Sequence, residues 1–200
     1  MHTARYYDVL LHAVPRPCDR ALDVGCGTGG FSRALAPLAG RVDAIDRDPG
    51  VIERARAASA GFSKLHFSCT DFMTCTDEGG GYDFVCALAS LHHLPLPGAL
   101  ERMKSLLRPG GVLGVIGLYR SQGITDFACS LAAFPVSLWL RLTHPRVPES
   151  VPLRDPDLTL LEIRTLAGEL LPGAVLKRRL LWRYTLLYHA PDHHGLARPS

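Results

Sequence analysis

The chain has 200 residues, of which 47% are hydrophobic and 20% charged, enough apolar material for the core of one domain and too apolar for a disordered chain. A formal net charge of +3, with no block of like-charged residues, excludes an extended nucleic-acid footprint and points to a small or neutral partner. The six cysteines (Cys18, Cys26, Cys69, Cys75, Cys86 and Cys129) form no CxxC pair and several lie in apolar runs, the usage expected of a reduced, cytoplasmic protein; residues 1–8 lack the apolar run of a secretory signal.

In chain order, an amphipathic helix carrying Tyr6 and Tyr7 is expected at 4–14, ahead of a strand at 20–24. Helices at 31–39, 49–58 and 97–107 then alternate with strands at 42–46, 65–69, 82–88 and 112–118, the pattern of a mostly parallel α/β sheet. Pro49 suits the first turn of its helix, and Gly40 and the Gly110-Gly111 pair end theirs. After residue 118 the alternation stops. The insert 119–157 is apolar over most of 124–142, but Asp126 and Pro135 argue for a helical insert or lid and against a stable membrane span. A helix at 158–171 and a hairpin of strands 175–181 and 184–189 complete the domain. The expected division is therefore one domain over 1–190 (N-terminal helix 1–19, cofactor-binding core 20–118, insert 119–157, C-terminal helix and hairpin 158–190) and a flexible tail at 191–200. His193 and His194 in that tail are read as solvated, and no metal site is expected.

The segment Ala21-Leu22-Asp23-Val24-Gly25-Cys26-Gly27-Thr28-Gly29-Gly30 is a strand running into a glycine-rich turn that opens a helix, where the backbone must turn tightly and let a ligand approach. Gly25, Gly27 and Gly30 also satisfy the GxGxxG dinucleotide fingerprint, so the glycines alone leave two cofactor classes open. Asp23 tilts the choice. A carboxylate two residues before the first glycine repels a pyrophosphate and attracts a cationic sulfonium and amino group, favouring S-adenosylmethionine over NAD. Asp46, twenty-one residues after Gly25 at a strand end, is placed to accept both hydroxyls of a ribose; Asp48 is the alternative, or the N-cap before Pro49.

Four stations in order, LDVGCGTG, the acid in VDAID, Asp71-Phe72 and LLRPGG, resemble the class I S-adenosylmethionine-dependent methyltransferases over residues 20–118. The resemblance implies a single Rossmann-like, doubly wound, mostly parallel sheet flanked by helices, S-adenosylmethionine as cofactor and S-adenosylhomocysteine as product. It implies that Asp23, Gly25, Cys26, Gly27, Gly29, Asp46, Arg47, Asp71, Phe72 and Ala87 line the cofactor, with Asp71 at the adenine amino group and the Phe72 amide at a ring nitrogen. The alternative for Asp71 is to cap the turn before Met73, and the glycine that precedes this acid in many relatives is here Thr70.

The run Leu91-His92-His93-Leu94 after the fourth strand is similar to the ubiquinone/menaquinone-type and other small-molecule methyltransferases. At a strand C-terminus it faces the ligand crevice, and at most one of His92 and His93 is expected to act as a base for a protonated acceptor; the alternative is a loop hydrogen bond and a packing role. Tyr6, Tyr7, His92, Arg120, Phe127 and Trp139 are the substrate-lining candidates, with Phe134 and His144 nearby in the insert, although the aromatics also suit plain core packing. The expected reaction is methyl transfer to a small, partly apolar or aromatic acceptor. The alternative is a member that uses the cofactor structurally or for a non-methylating reaction.

Overall fold

The computed structural model describes residues 6–76, 79–120, 157–180 and 182–192. Seven strands form one sheet: β1 (Arg20–Val24), β2 (Arg41–Asp46), β3 (Leu65–Cys69), β4 (Tyr82–Leu88), β5 (Leu107–Leu118), β6 (Val175–Arg179) and β7 (Arg183–His189), in the order β3-β2-β1-β4-β5-β7-β6. The first five pair in parallel, and β7 runs antiparallel to both β5 and β6. The strand order reverses between β1 and β4, so the loops leaving these two strands open a crevice at a topological switch point.

Alternation along the strands assigns the two faces. Ala21, Val42, Phe84, Cys86, Val112 and Ile116 pack with Leu10, Phe31 and Leu35 from α1 (Tyr7–Leu11) and α2 (Gly30–Leu35). Ala44 and Phe67 on the same face cover Ile52 and Ala55 of α3 (Pro49–Ala57). The other face carries Leu22, Val85, Ala87, Leu113, Val115 and Leu186 against Leu100 and Met103 of α4 (Leu96–Ser105) and Ile163 and Ala167 of α5 (Leu160–Leu170). Strands covered on both faces read as near-continuous apolar runs, which is why they were legible. The start of α5 is held by a capping box between Thr159 and Glu162, a device that stabilises a helix end by about 1 kcal/mol.

Several boundaries differ from expectation: α1 ends at Leu11, three residues early, and α4 at Ser105, two residues early. Helix α2 stops at Leu35, four residues early, where a turn carries the chain to Gly40 and its N–H donates to the Cys18 carbonyl at 2.9 Å. Strand β5 begins at Leu107 because Tyr82 pairs with it before the register shift through Pro109 and Gly110. Strand β6 ends at Arg179, with Leu180 and Trp182 in turn conformation before β7. The insert 121–156, with Phe127 and Trp139, lies outside the described residues, as does the tail from 193. Among the described residues no helix is long and apolar enough to cross a membrane.

Candidate functional site

The glycine turn after β1 is fastened to β2 by two bonds to one acceptor: the Gly25 and Cys26 N–H groups donate to the Ile45 carbonyl at 2.8 and 2.9 Å. Gly25 (φ 69°) and Gly27 (φ 54°) both hold left-handed backbone, for different reasons. A Cβ on Gly25 would lie 2.3 Å from the Ser90 Cβ, so the loop after β4 packs directly on the turn. A Cβ on Gly27 would meet nothing within 4 Å: it would fill open space, the form of a cradle for a ligand.

Asp46 closes one side of that space. Its Oδ2 accepts the Gly27 N–H at 3.0 Å and its Oδ1 the Asp48 N–H at 3.1 Å, tying the loops after β1 and β2 together. Each oxygen retains one lone pair, enough to accept a hydroxyl apiece. Asp48 is engaged elsewhere, its Oδ1 accepting the Val51 N–H at 3.0 Å as the N-cap of α3. The Arg47 side chain is exposed, while its carbonyl accepts the Cys69 thiol at 3.6 Å.

Asp23 is 1% exposed and lies beneath α2. Its Oδ2 accepts the Ser32 hydroxyl at 2.6 Å, and the Cys86 thiol on the neighbouring strand approaches Oδ1 at 3.8 Å. Burial pushes its carboxyl up to about 6, against the downward pull of the Ser32 bond. The acid is thereby shielded from solvent and bonded to α2. Cys26 is buried in the turn, its thiol pushed up by desolvation and by Asp23.

The two N-terminal tyrosines part company. Tyr7 meets the Phe31 ring edge-on at 5.0 Å, and its hydroxyl stands 3.1 Å from where a Gly30 Cβ would be. Burial and then Asp23 raise its pKa. The Tyr6 hydroxyl donates to the Leu180 carbonyl at 3.2 Å, on the C-terminal hairpin.

In the loop after β3, Asp71 Oδ1 accepts the Met73 N–H at 2.7 Å and the Asp71 carbonyl accepts the Cys75 N–H at 2.9 Å, the capping arrangement anticipated as the alternative. Phe72 is buried. Arg102 of α4 clamps this loop: its Nε donates to the Phe72 carbonyl at 2.6 Å, its Nη2 to the Cys75 carbonyl, and the guanidinium lies 5.5 Å from the Phe72 ring centroid. Nothing in the sequence distinguished Arg102 from any arginine on an amphipathic helix.

At the end of β4, Ala87 is fully buried between β1 and β5, so it bounds the crevice from within the sheet. Ala89 follows with φ 52°, a conformation costly for a residue with a Cβ, and its N–H donates to the Ile116 carbonyl at 2.7 Å. Ser90 donates to the Val24 carbonyl at 2.7 Å, joining this loop to the start of the glycine turn. A 3-10 turn, Leu91–His93, then presents both histidines, with ring centroids 4.0 Å apart. His92 Nδ1 is buried without a hydrogen-bond partner, and burial, followed by His93, pulls the ring down to about 4, leaving it neutral near pH 7. Ala89 and Ser90 went unnoticed in the sequence, where neither residue type signals strain or a loop clamp. Arg120 is exposed, and its N–H donates to the Leu158 carbonyl at 2.7 Å, two residues before α5.

A family model described as a methyltransferase domain matches residues 21–111. An uncharacterized methyltransferase of Mycobacterium tuberculosis (strain H37Rv) is 35% identical over 191 residues, spanning 93% of this chain and 95% of its own. A ubiquinone biosynthesis O-methyltransferase of Methylocella silvestris is 36% identical over 135 residues, 65% of this chain and 52% of that protein. Among solved structures, N-methyltransferase NodS from Bradyrhizobium japonicum in complex with S-adenosyl-L-homocysteine aligns with a TM-score of 0.65 at 18% identity, over 96% of this chain and 86% of that one. The [4+2]-cyclase SpnF aligns over 60% of this chain and 46% of its own, at 26% identity and a TM-score of 0.54.

Proposed function

This chain belongs to the class I S-adenosylmethionine-dependent methyltransferases, and from that premise we propose that it methylates a small, partly apolar or aromatic acceptor at the crevice between β1 and β4. The reading rests on one juxtaposition: Ser90 packs on Gly25, so the loop that carries the neutral His92, two residues further on, lies against the glycine turn. The match to a ubiquinone biosynthesis O-methyltransferase supports an aromatic acceptor.

The residues present fit the cofactor. The open space at Gly27 admits close backbone approach, the spare lone pairs of Asp46 suit the ribose hydroxyls, and the Asp71-Phe72 loop held by Arg102 suits the adenine edge. When bound, S-adenosylmethionine supplies a methyl group activated by the adjacent sulfonium. Asp23, in its ionised form, favours positive charge at the glycine turn that follows it. Where the acceptor atom carries a proton, His92 takes it as the new bond to carbon forms and then passes it to solvent. Burial, and then the His93 ring packed against it, keep His92 neutral.

The test is transfer of labelled methyl from S-adenosylmethionine to a panel of phenols, quinols and amines, read as label extracted into organic solvent. His92→Ala is expected to lower kcat about a hundredfold or more with the cofactor KM unchanged, the scale of a lost general base. With His92 neutral down to about pH 4, kcat/KM carries no histidine inflection near neutrality and falls only in acid. Cofactor binding without transfer to any acceptor would replace this reading with a non-methylating one, a direction to which the SpnF match lends support. Full activity in the variants lacking either histidine would leave positioning alone as the source of rate.

A further inference from the structure

The hairpin of β6 and β7 concentrates the charge of the chain. Between Glu169 and Asp192 the sequence holds Lys177, Arg178, Arg179 and Arg183 and no acid, in a protein whose net charge is only +3, so the remainder is close to neutral. Lysine and arginine on an outer strand guard against edge-to-edge pairing, which accounts for the charges on β6. It does not account for the turn. Leu180 is 57% exposed and Trp182 41% exposed, and Trp182 holds a left-handed backbone conformation (φ 54°) that glycine or asparagine would adopt at lower cost. A strained, solvent-facing indole beside an exposed leucine, collared by cations, is the composition of a segment that seats its apolar tip at the headgroup level of an anionic bilayer.

The position of this tip relates it to the crevice. Arg183 pairs with Leu118 at the C-terminal end of β5, so the turn sits at the same end of the sheet as the loops leaving β1 and β4. The Tyr119 N–H donates to the Trp182 carbonyl at 3.1 Å, and the Tyr6 hydroxyl bonds the Leu180 carbonyl, while the adjacent Tyr7 lies over the start of α2. The tip is thus braced from β5 and from the N-terminal helix.

We propose that the β6–β7 turn is a docking surface for an anionic lipid bilayer, with Leu180 and Trp182 entering the interface, the exposed Lys177 and Arg178 meeting the headgroups, and the half-buried Arg179, whose Nε donates to the Thr185 hydroxyl, and Arg183 adding to the positive charge of the hairpin. If the acceptor is apolar, as the reading of function above holds, docking here presents the crevice to a molecule dissolved in the same bilayer. Lipid binding itself does not depend on that reading.

The experiment is co-sedimentation of the full chain with vesicles of phosphatidylglycerol and phosphatidylcholine, against phosphatidylcholine alone. Binding is expected only with the anionic vesicles. Lys177→Gln and Arg179→Gln should each weaken partitioning about fivefold, and Trp182→Ser and Leu180→Ser should weaken it by a similar factor while leaving S-adenosylmethionine affinity and the melting temperature intact. In a Trp139→Phe background Trp182 is the sole tryptophan, and its emission should shift to the blue on binding. Absence of sedimentation, equal binding to neutral vesicles, or equal binding by the hairpin variants would overturn the proposal. So would sensitivity to the charge changes with none to Trp182→Ser, the behaviour of a cationic patch that binds any polyanion. Because binding and cofactor affinity are read separately from turnover, a failure of lipid docking is distinguishable from a failure of the acceptor assignment.

Discussion

The two sides of the crevice are built on opposite principles. On the β1–β2 side the residues are locally prescribed and their polar atoms are paired: Gly25, Cys26 and Gly27 all donate to partners at the end of β2, and Asp46 accepts twice. On the β4 side Ala89 is held in left-handed backbone and the buried His92 Nδ1 has no hydrogen-bond partner. Strain and an unpaired buried acceptor each cost of order 1–3 kcal/mol and persist because the surrounding sheet determines them. The paired side is suited to hold a ligand in one pose, and the unpaired side retains a group whose partner has still to arrive.

The electrostatics divide in the same way. Burial raises Asp23 to about 6 and lowers His92 to about 4, so the two groups shift stability in opposite senses over one interval. The native state holds the Asp23 proton more tightly than the unfolded chain does, so this contribution grows as pH falls from about 6 toward 4. It holds the His92 proton less tightly, and that contribution shrinks as pH falls from the ordinary histidine value toward 4.

The largest effect is expected from Gly25→Val, which drives a side chain into Ser90 and joins the two sides by force; we expect a loss of about 3 kcal/mol in thermal or denaturant unfolding and no measurable cofactor binding. Normal binding would separate the glycine turn from the site. Next is Asp46→Ala, expected to weaken S-adenosylmethionine binding by about 1.5–3 kcal/mol in calorimetry, since two N–H donors and two hydroxyl contacts are lost together. Unchanged affinity would remove the ribose role.

Asp23→Asn should act the other way on the fold, raising stability above pH 6 by about 2 kcal/mol while reducing cofactor affinity. It should also leave the opposite titration of His92 uncovered, so that the variant loses stability on acidification between about pH 6 and 4; melting curves across that interval would detect it. The smallest expected effect is Gly27→Ala, a backbone cost of about 1 kcal/mol with no clash, so that the fold survives and the loss falls on cofactor affinity. Equal damage to stability from Gly25→Ala and Gly27→Ala would contradict the distinction between a packed and an open glycine.

Most of the fold was legible because the strands are short apolar runs bounded by glycine, proline and N-capping acids, signals that act over a few residues. The strand β1 and its turn, Asp46 at the end of β2, the Asp48 cap and the C-terminal hairpin are of this kind. Boundaries shifted where a distant partner intervened, as when Tyr82 extended β5 back to Leu107.

From its sequence alone, then, the protein is determined to carry a glycine turn followed at a set spacing by an acid, in a doubly wound sheet, because periodicity and turn chemistry are properties of neighbouring residues. Tertiary structure decided the rest: that Asp23 lies under α2 bonded to Ser32, that Asp71 caps its own loop and Arg102 clamps it, that Tyr6 and Tyr7 meet different segments, the hairpin turn and the start of α2, and that Ala89 is strained. Burial, pairing and backbone strain arise between segments tens of residues apart, and no local pattern encodes them.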